Sequence, residues 1–248
     1  ALAANGYQEV VLTGIHLSSY GLDLKGENES LLSLIQAVHE VEGIERIRLG
    51  SLEPRIITEE FAETISQMRK ICPHFHLSLQ SGCNATLRRM NRRYTAEEYY
   101  EKCQLLRKYF QNPAITTDVI VGFPGETQEE FEESLAFVDK VDFYETHIFK
   151  YSRRRGTKAA DMEHQVPEQQ KAARSAVMLE LNEEKQRKYE EKWLGKTVEV
   201  LFEETIVRDN KTYQVGHTKE YLKVAVESEK SWENQRKEVE IVNLSQII

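Results

Sequence analysis

The sequence predicts an α/β protein, in which a parallel sheet of repeated βα units is followed by a small all-β barrel. Three observations predict it. From Ala1 to about Ser152, short apolar runs alternate with longer helical patterns, the mark of βα repeats. A long charged helical stretch begins at Pro167, and after Gly195 the pattern turns to short strands at short spacing, as in a small closed barrel. At 248 residues and 40% hydrophobic, the chain is long enough to bury two unequal cores.

In chain order, strands are read at Glu9–Thr13, Arg46–Leu49, Phe75–Leu79, Ile115–Val121 and His147–Tyr151. Helices fall between them near Leu31–Val41, Glu59–Arg69, Ala96–Phe110 and Gln128–Lys140. Thr95 with Glu98, and Thr127 with Glu130, fit the capping box, in which hydroxyl and carboxylate satisfy orphan amides reciprocally. Phe131, Leu135 and Val138 recur at helical spacing and form one buried stripe. Pro167 suits a helix first turn, and the helix it opens runs to about Leu194. Glu183–Arg187 and Glu184–Lys188 are oriented as favourable i,i+4 pairs, which reads as a solvent-facing connector. The closing strands are Thr197–Phe202, Thr212–Gly216, Tyr221–Val226 and Glu238–Val242.

A formal net charge of −8 argues against a protein that coats nucleic acid through bulk positive charge. Local cation clusters survive within that field, at Arg88, Arg89, Arg92 and Arg93 and again at Lys150, Arg153, Arg154, Arg155 and Lys158. Each is either an anion site or a solvated face. No apolar run approaches the ~18 residues needed to cross a bilayer, so a cytoplasmic chain is expected. Cys72, Cys83 and Cys103 are odd in number and widely spaced, which suits reduced structural thiols.

In a parallel barrel the ligand site lies at the C-terminal ends of the strands, so polar residues there are informative. Phe75, Leu77 and Leu79 make one face of their strand while His76, Ser78 and Gln80 make the other, and the second face is placed in the lumen. Polar residues satisfying one another as a structural layer are the alternative. Asp118 is an acid in an apolar strand and needs a hydrogen-bonding or charged partner, a role that a ligand's ammonium or hydroxyl would fill. Gly122 and Gly125 allow close backbone approach to a flat ligand, or simply turn the strand into the next helix.

Three blocks then carry a family resemblance. Pro73-His-Phe-His-Leu-Ser-Leu-Gln-Ser-Gly82, Met90-Asn-Arg-Arg-Tyr-Thr95 and Thr116-Thr-Asp-Val-Ile-Val-Gly-Phe-Pro-Gly-Glu126 resemble, in this order, the methylthiotransferase branch of the radical S-adenosylmethionine enzymes. The tail from Leu194-Gly-Lys-Thr-Val-Glu-Val-Leu201 is similar to the TRAM domain, an RNA-binding β-barrel. Leu12-Thr-Gly-Ile-His-Leu-Ser-Ser-Tyr-Gly21 and Gly50-Ser-Leu-Glu-Pro54 most resemble members acting on N6-threonylcarbamoyladenosine beside the anticodon.

The resemblance implies an incomplete (β/α) barrel over 1–166 that lacks its first strand, a connecting helix over 167–193, and a TRAM barrel over 194–248. It implies S-adenosylmethionine and two 4Fe-4S clusters as cofactors of the family, although the three cysteines here lack cluster spacing. The chain is accordingly expected to be a fragment, inactive alone, with no metal ligand and no catalytic side chain assigned. Gly14, Ser51, Glu53, Ser78, Gln80, Asp118, Gly122 and Tyr151 are implied to lie nearest the nucleoside and methionine moieties. The implied partner is a tRNA anticodon stem-loop, held by Arg92, Arg93, Arg153, Arg154, Arg155, Lys196, Lys219, Tyr221 and Lys223. Tyr221 would offer a stacking ring or fill the small barrel's own core. Self-association is expected through an open edge at Glu9–Thr13. Other expectations are a ribosomal-protein or isopentenyladenosine methylthiotransferase, and a non-catalytic RNA-binding module.

Overall fold

The computed structural model describes residues 1–14, 17–21 and 30–248, so Ile15 and His16 of the Leu12–Gly21 motif lie outside the described residues. Strands β1 (Glu9–Leu12), β2 (Arg46–Leu52), β3 (Ile71–Leu77), β4 (Ala114–Val121) and β5 (Glu145–Lys150) form one parallel sheet in sequence order. Helices α1 (Leu31–His39), α2 (Glu59–Ser66), α3 (Asn84–Arg89), α4 (Ala96–Tyr109) and α5 (Gln128–Val141) carry the crossovers. The sheet is open, with β1 and β5 at its edges.

Local chemistry explains the boundaries. Thr95 and Thr127 close the capping boxes read from sequence, and Ser30 with Ser33 closes a third at α1, each cap contributing about 1 kcal/mol. Phe131 and Val138 bury the α5 stripe, with Leu135 packed beside them. Phe75, Leu77 and Leu79 are fully buried against the helices. Strand β3 ends at Leu77, before the expected Leu79, because Gln80 adopts φ +74°. The chain still grips β4 there, since the Gln80 amide donates to Asp118 O at 2.8 Å and its carbonyl accepts from Ile120 N at 2.9 Å. Helix α3 has six residues, too few for a periodic stripe to announce it.

The helix after Pro167 departs from the expectation. Helix α6 (Glu168–Glu191) buries Lys171, Arg174, Met178, Lys185 and Tyr189 along one stripe and packs against β5 and β4. It is a wall of the sheet, not a solvent-facing connector. Its buried face is written in long charged residues whose stems are apolar and whose heads are paired: Arg174 with Glu126 at 2.7 Å, Lys185 with Asp139 at 2.6 Å and Asp142 at 3.2 Å, Lys171 with Glu168 at 2.7 Å. Lys188 reaches Asp142 at 3.1 Å and Arg187 reaches Glu191 at 3.7 Å, in place of the Glu183 and Glu184 pairings read from sequence.

Beyond α6, β6 (Thr197–Arg208), β7 (Lys211–Thr218), β8 (Lys223–Glu227) and β9 (Arg236–Glu240) form an antiparallel sheet in the order β8-β7-β6-β9. Asp209 and Asn210 both take positive φ, which lets a tight two-residue turn join β6 to β7. A side chain at Gly216 would meet Leu201 O at 2.0 Å, so the strands approach closely where the register shifts past Phe202. The closed barrel expected here is not formed by strand pairing among the described residues. The sheet curls but leaves β8 and β9 as edges, and the terminus adds a single bridge, Val224 to Ile247.

This second sheet seats under the N-terminal ends of the parallel strands. Fully buried Arg46 donates to Glu199 and to His217 O, at 2.9 and 2.8 Å. Arg48 donates to Thr218 O and Lys219 O, both at 3.1 Å, and to Glu9 at 2.8 Å. Such charge-assisted bonds satisfy guanidinium groups that burial would otherwise penalise heavily. The lumen is therefore floored by β7 and by the residues after it.

Candidate functional site

Parallel register sets the lumen chemistry. Because side chains alternate, residues in register with one another on neighbouring strands point the same way. His76 aligns with Thr116 across β3 and β4, and Asp118 aligns with His147 across β4 and β5. His76 Nε2 lies 3.4 Å from Asp118 Oδ2, and the His76 and His147 rings stack with centroids 5.7 Å apart. The Thr116 hydroxyl bridges His76 Nδ1 at 3.0 Å and His74 Nε2 at 3.2 Å.

Two cavities share Asp118. The lower, about 550 Å³, is lined by Glu9, Arg48, Ser51, His74, His76, Thr116, His147, Glu203, His217 and Tyr221, among others. The upper, about 520 Å³, is lined by Gln80, Ile120, Phe149, Lys150, Tyr151, Ser152, Arg154, Thr157 and Ala159. Burial pushes the Asp118 carboxyl up, but the hydrogen bond and charge of His76, with His147 and Arg92 beyond, outweigh it and hold it below the usual range. Burial, reinforced by Arg48 and the neighbouring imidazoles, keeps His74 neutral well below the usual histidine range.

The structure brings Gln80, Asp118, Tyr151 and Arg154 together on the upper cavity, and places Ser51 on the lower one. Gly14, Glu53, Ser78 and Gly122 line neither. Gly14 follows β1 on the exposed side, Glu53 accepts from Arg55 at 3.1 Å, and Ser78 O accepts from the Tyr94 hydroxyl at 2.8 Å. Gly122, at φ +73°, packs on Lys171, where an added Cβ would lie 2.4 Å from Cγ, and its amide donates to Glu126. The partner for Asp118 is a histidine of the chain itself. Arg48, His74, Thr116, His147, Glu203 and His217 line the lumen without having been singled out in the sequence; the alternation of Glu145, His147 and Phe149 was the available signal for His147.

The residues expected to meet RNA divide into two groups. Arg92, Arg93, Arg153, Arg154, Arg155 and Lys196 are exposed, and Arg153 is tied back by its Nε to Ala160 O at 2.7 Å. Lys219 and Lys223 are engaged internally, with Arg69 O at 2.9 Å and Glu204 at 3.3 Å. Tyr221 stacks on His74 at 4.0 Å with rings 2° from parallel, and lies 5.2 Å from the His217 ring and 5.1 Å from the Arg48 guanidinium. That ring lines the lumen floor and also packs against the apolar core of the second sheet, the alternative read from sequence.

The thiols do not fit an iron-sulfur cluster. Cys72, Cys83 and Cys103 are all buried, and no cysteine joins a group of potential metal ligands among the described residues. Burial pushes the Cys72 thiol up to about 11 and the Cys103 thiol to about 12, the reverse of what a thiolate ligand needs. The upper cavity does fit a nucleoside. Its wall combines the Tyr151 and Phe149 rings with Gln80 and Asp118, and the Tyr151 hydroxyl is buried without a protein partner.

Known proteins resemble this chain over most of its length. The profile of the Radical SAM superfamily matches residues 1–138. A tRNA-2-methylthio-N(6)-dimethylallyladenosine synthase of Caldicellulosiruptor saccharolyticus is 43% identical over 209 residues, 84% of this chain and 44% of that protein. The threonylcarbamoyladenosine tRNA methylthiotransferase MtaB of Bacillus subtilis is 41% identical over 220 residues, 88% of this chain and 49% of that protein. This chain thus spans under half the length of these relatives. The archaeal Elp3 of Methanocaldococcus infernus shares the fold, with a TM-score of 0.51 over 88% of this chain and 68% of that one at 13% identity. No helix among the described residues is long and apolar enough to cross a membrane.

Proposed function

From the premise that this chain belongs to the Radical SAM superfamily, we propose that it is the part of a tRNA methylthiotransferase that walls the S-adenosylmethionine and nucleoside site. The observation that carries this reading is the upper cavity, where Gln80, Asp118 and Tyr151 meet, in a sequence similar to tRNA methylthiotransferases along most of its length. When bound, S-adenosylmethionine supplies the radical chemistry of the superfamily; the cluster it needs is not held by the thiols of this chain. What the chain contributes is orientation. The Gln80 amide and Asp118 carboxylate hold polar groups of the ligand, the Phe149 and Tyr151 rings cover a flat base, and the walls exclude water.

Of the possible nucleosides, N6-threonylcarbamoyladenosine is favoured. Its substituent ends in a carboxylate, and Lys150 and Arg154 stand on the cavity wall where a dimethylallyl group would want apolar contacts. Similarity to dimethylallyladenosine synthases supports the second reading. Residues 1–166 then act as the partial barrel, 167–193 as a linking helix, and 194–248 as a TRAM unit. The exposed arginines Arg92, Arg93, Arg153, Arg154 and Arg155, with Lys196, face an anticodon stem-loop through its phosphates.

Equilibrium dialysis of S-adenosylmethionine against the chain tests the cavity. Saturable binding is expected, weakened about tenfold or more by Asp118→Asn and Gln80→Ala and unchanged by Lys211→Ala, at the end of β7 away from the lumen. Absence of saturable binding, or equal binding by all four proteins, would contradict the assignment.

A further inference from the structure

The lower cavity holds a cluster of which the proposed nucleoside reading uses only Asp118. We propose that His76, Asp118 and His147 bind one divalent first-row transition-metal ion in the lower lumen. The three side chains come from adjacent strands β3, β4 and β5, Asp118 and His147 in register and His76 one pair lower, opposite Thr116, and one ligand atom from each lies within 4.8 Å of the others. Metal–ligand bonds of roughly 2.0–2.2 Å place neighbouring donor atoms about 3 Å apart. The His76–Asp118 separation of 3.4 Å already approaches this, and His147, the exposed member, has the freedom to close the remainder.

The fixed orientation of His76 supports the same assignment. His76 Nδ1 is held by the Thr116 hydroxyl at 3.0 Å, which fixes the ring and leaves Nε2 facing Asp118, the arrangement by which metal-bound histidines are oriented. When Thr116 accepts from His76 Nδ1–H and donates to His74 Nε2, the Nε2 lone pair of His76 confronts a carboxylate oxygen, and a cation between them relieves the repulsion. The cavity field favours a cation as well. Its walls carry the carboxylates of Glu9, Asp118 and Glu203 against the single guanidinium of Arg48.

Two imidazoles and one carboxylate suit zinc, iron(II) or cobalt(II) better than magnesium or calcium, which prefer oxygen donors. A cavity of about 550 Å³ leaves the open coordination positions accessible to water or to a further ligand. The metal-free alternative is the other tautomer, in which His76 Nε2–H donates directly to Asp118.

Cobalt(II) titration of the EDTA-treated chain at pH 7.5, read by visible d–d absorbance, decides between them. The expected result is one equivalent bound, at least tenfold weaker binding in His147→Ala, and parent-like binding in His164→Ala, which removes an exposed histidine outside the cavity. His147 is exposed, so that variant keeps its fold, and far-UV circular dichroism checks it. It also leaves Gln80 and Tyr151 in place, so S-adenosylmethionine binding reports separately on the upper cavity. Either no d–d band or parent-like binding by His147→Ala overturns the proposal and leaves a His76–Asp118 ion pair only.

Discussion

Glu130 shows how a single residue can serve two elements at once. Its carboxylate closes the Thr127 capping box and also receives both terminal nitrogens of Arg89, from the loop side of the lumen. The Arg89 hydrogen bonds, against a smaller cost of burial, hold the Glu130 carboxyl below the usual carboxylate range. A depressed folded-state value means the native protein binds fewer protons than the unfolded chain, so this contribution is present above about pH 5 and is lost as pH falls below it. Glu130→Gln is therefore expected to lower stability at pH 7 and to flatten the acid limb of urea midpoints measured from pH 5 to pH 3. An unchanged acid limb would show that Arg89 does not hold this charge. The sequence disclosed the capping half of this role through Thr127 and Glu130, but not the Arg89 half, which depends on α3 and α5 meeting in space.

At the scale of elements, legibility followed the source of burial. Strands with apolar faces, such as Phe75, Leu77 and Leu79, and helices with apolar stripes, such as Phe131 and Val138, were readable because periodicity reports hydrophobic burial. The burial of helix α6 is hidden in the sequence because its stripe includes Lys171, Arg174 and Lys185, and the acids that pair Arg174 and Lys185 are distant in sequence. The lumen is half readable: His76, Gln80 and Asp118 break an apolar pattern, whereas His147 has only the weaker signal of alternation with Glu145 and Phe149 in a short strand. Strand β1 carries a separate consequence. Among the described residues it pairs only with β2, and its Val11 is 54% exposed, so its outer backbone groups are open to another strand. Sedimentation velocity is expected to show association of this chain that rises with concentration and is reduced by Val11→Lys. A monomer at every concentration would contradict an adhesive edge.

Across the whole molecule, the second sheet acts as the floor of the first. Arg46 and Arg48 are buried because β6 and β7 supply Glu199, His217 O, Thr218 O and Lys219 O to their guanidinium groups, and Tyr221 closes the cavity beneath His74. No segment of the sequence announces this, since each contact spans more than 140 residues. It joins the unit proposed to meet RNA to the lumen, so the proposed nucleoside and RNA sides are packed into one frame. The central claim is that this frame serves methylthiolation of a tRNA nucleoside. Mass spectrometry of nucleosides from total tRNA, in cells deleted for the gene encoding this chain, tests it most directly. Loss of 2-methylthio-N6-threonylcarbamoyladenosine with accumulation of N6-threonylcarbamoyladenosine is expected, restored by the intact gene; methylthiolated adenosines unchanged from the parent cells would contradict that role.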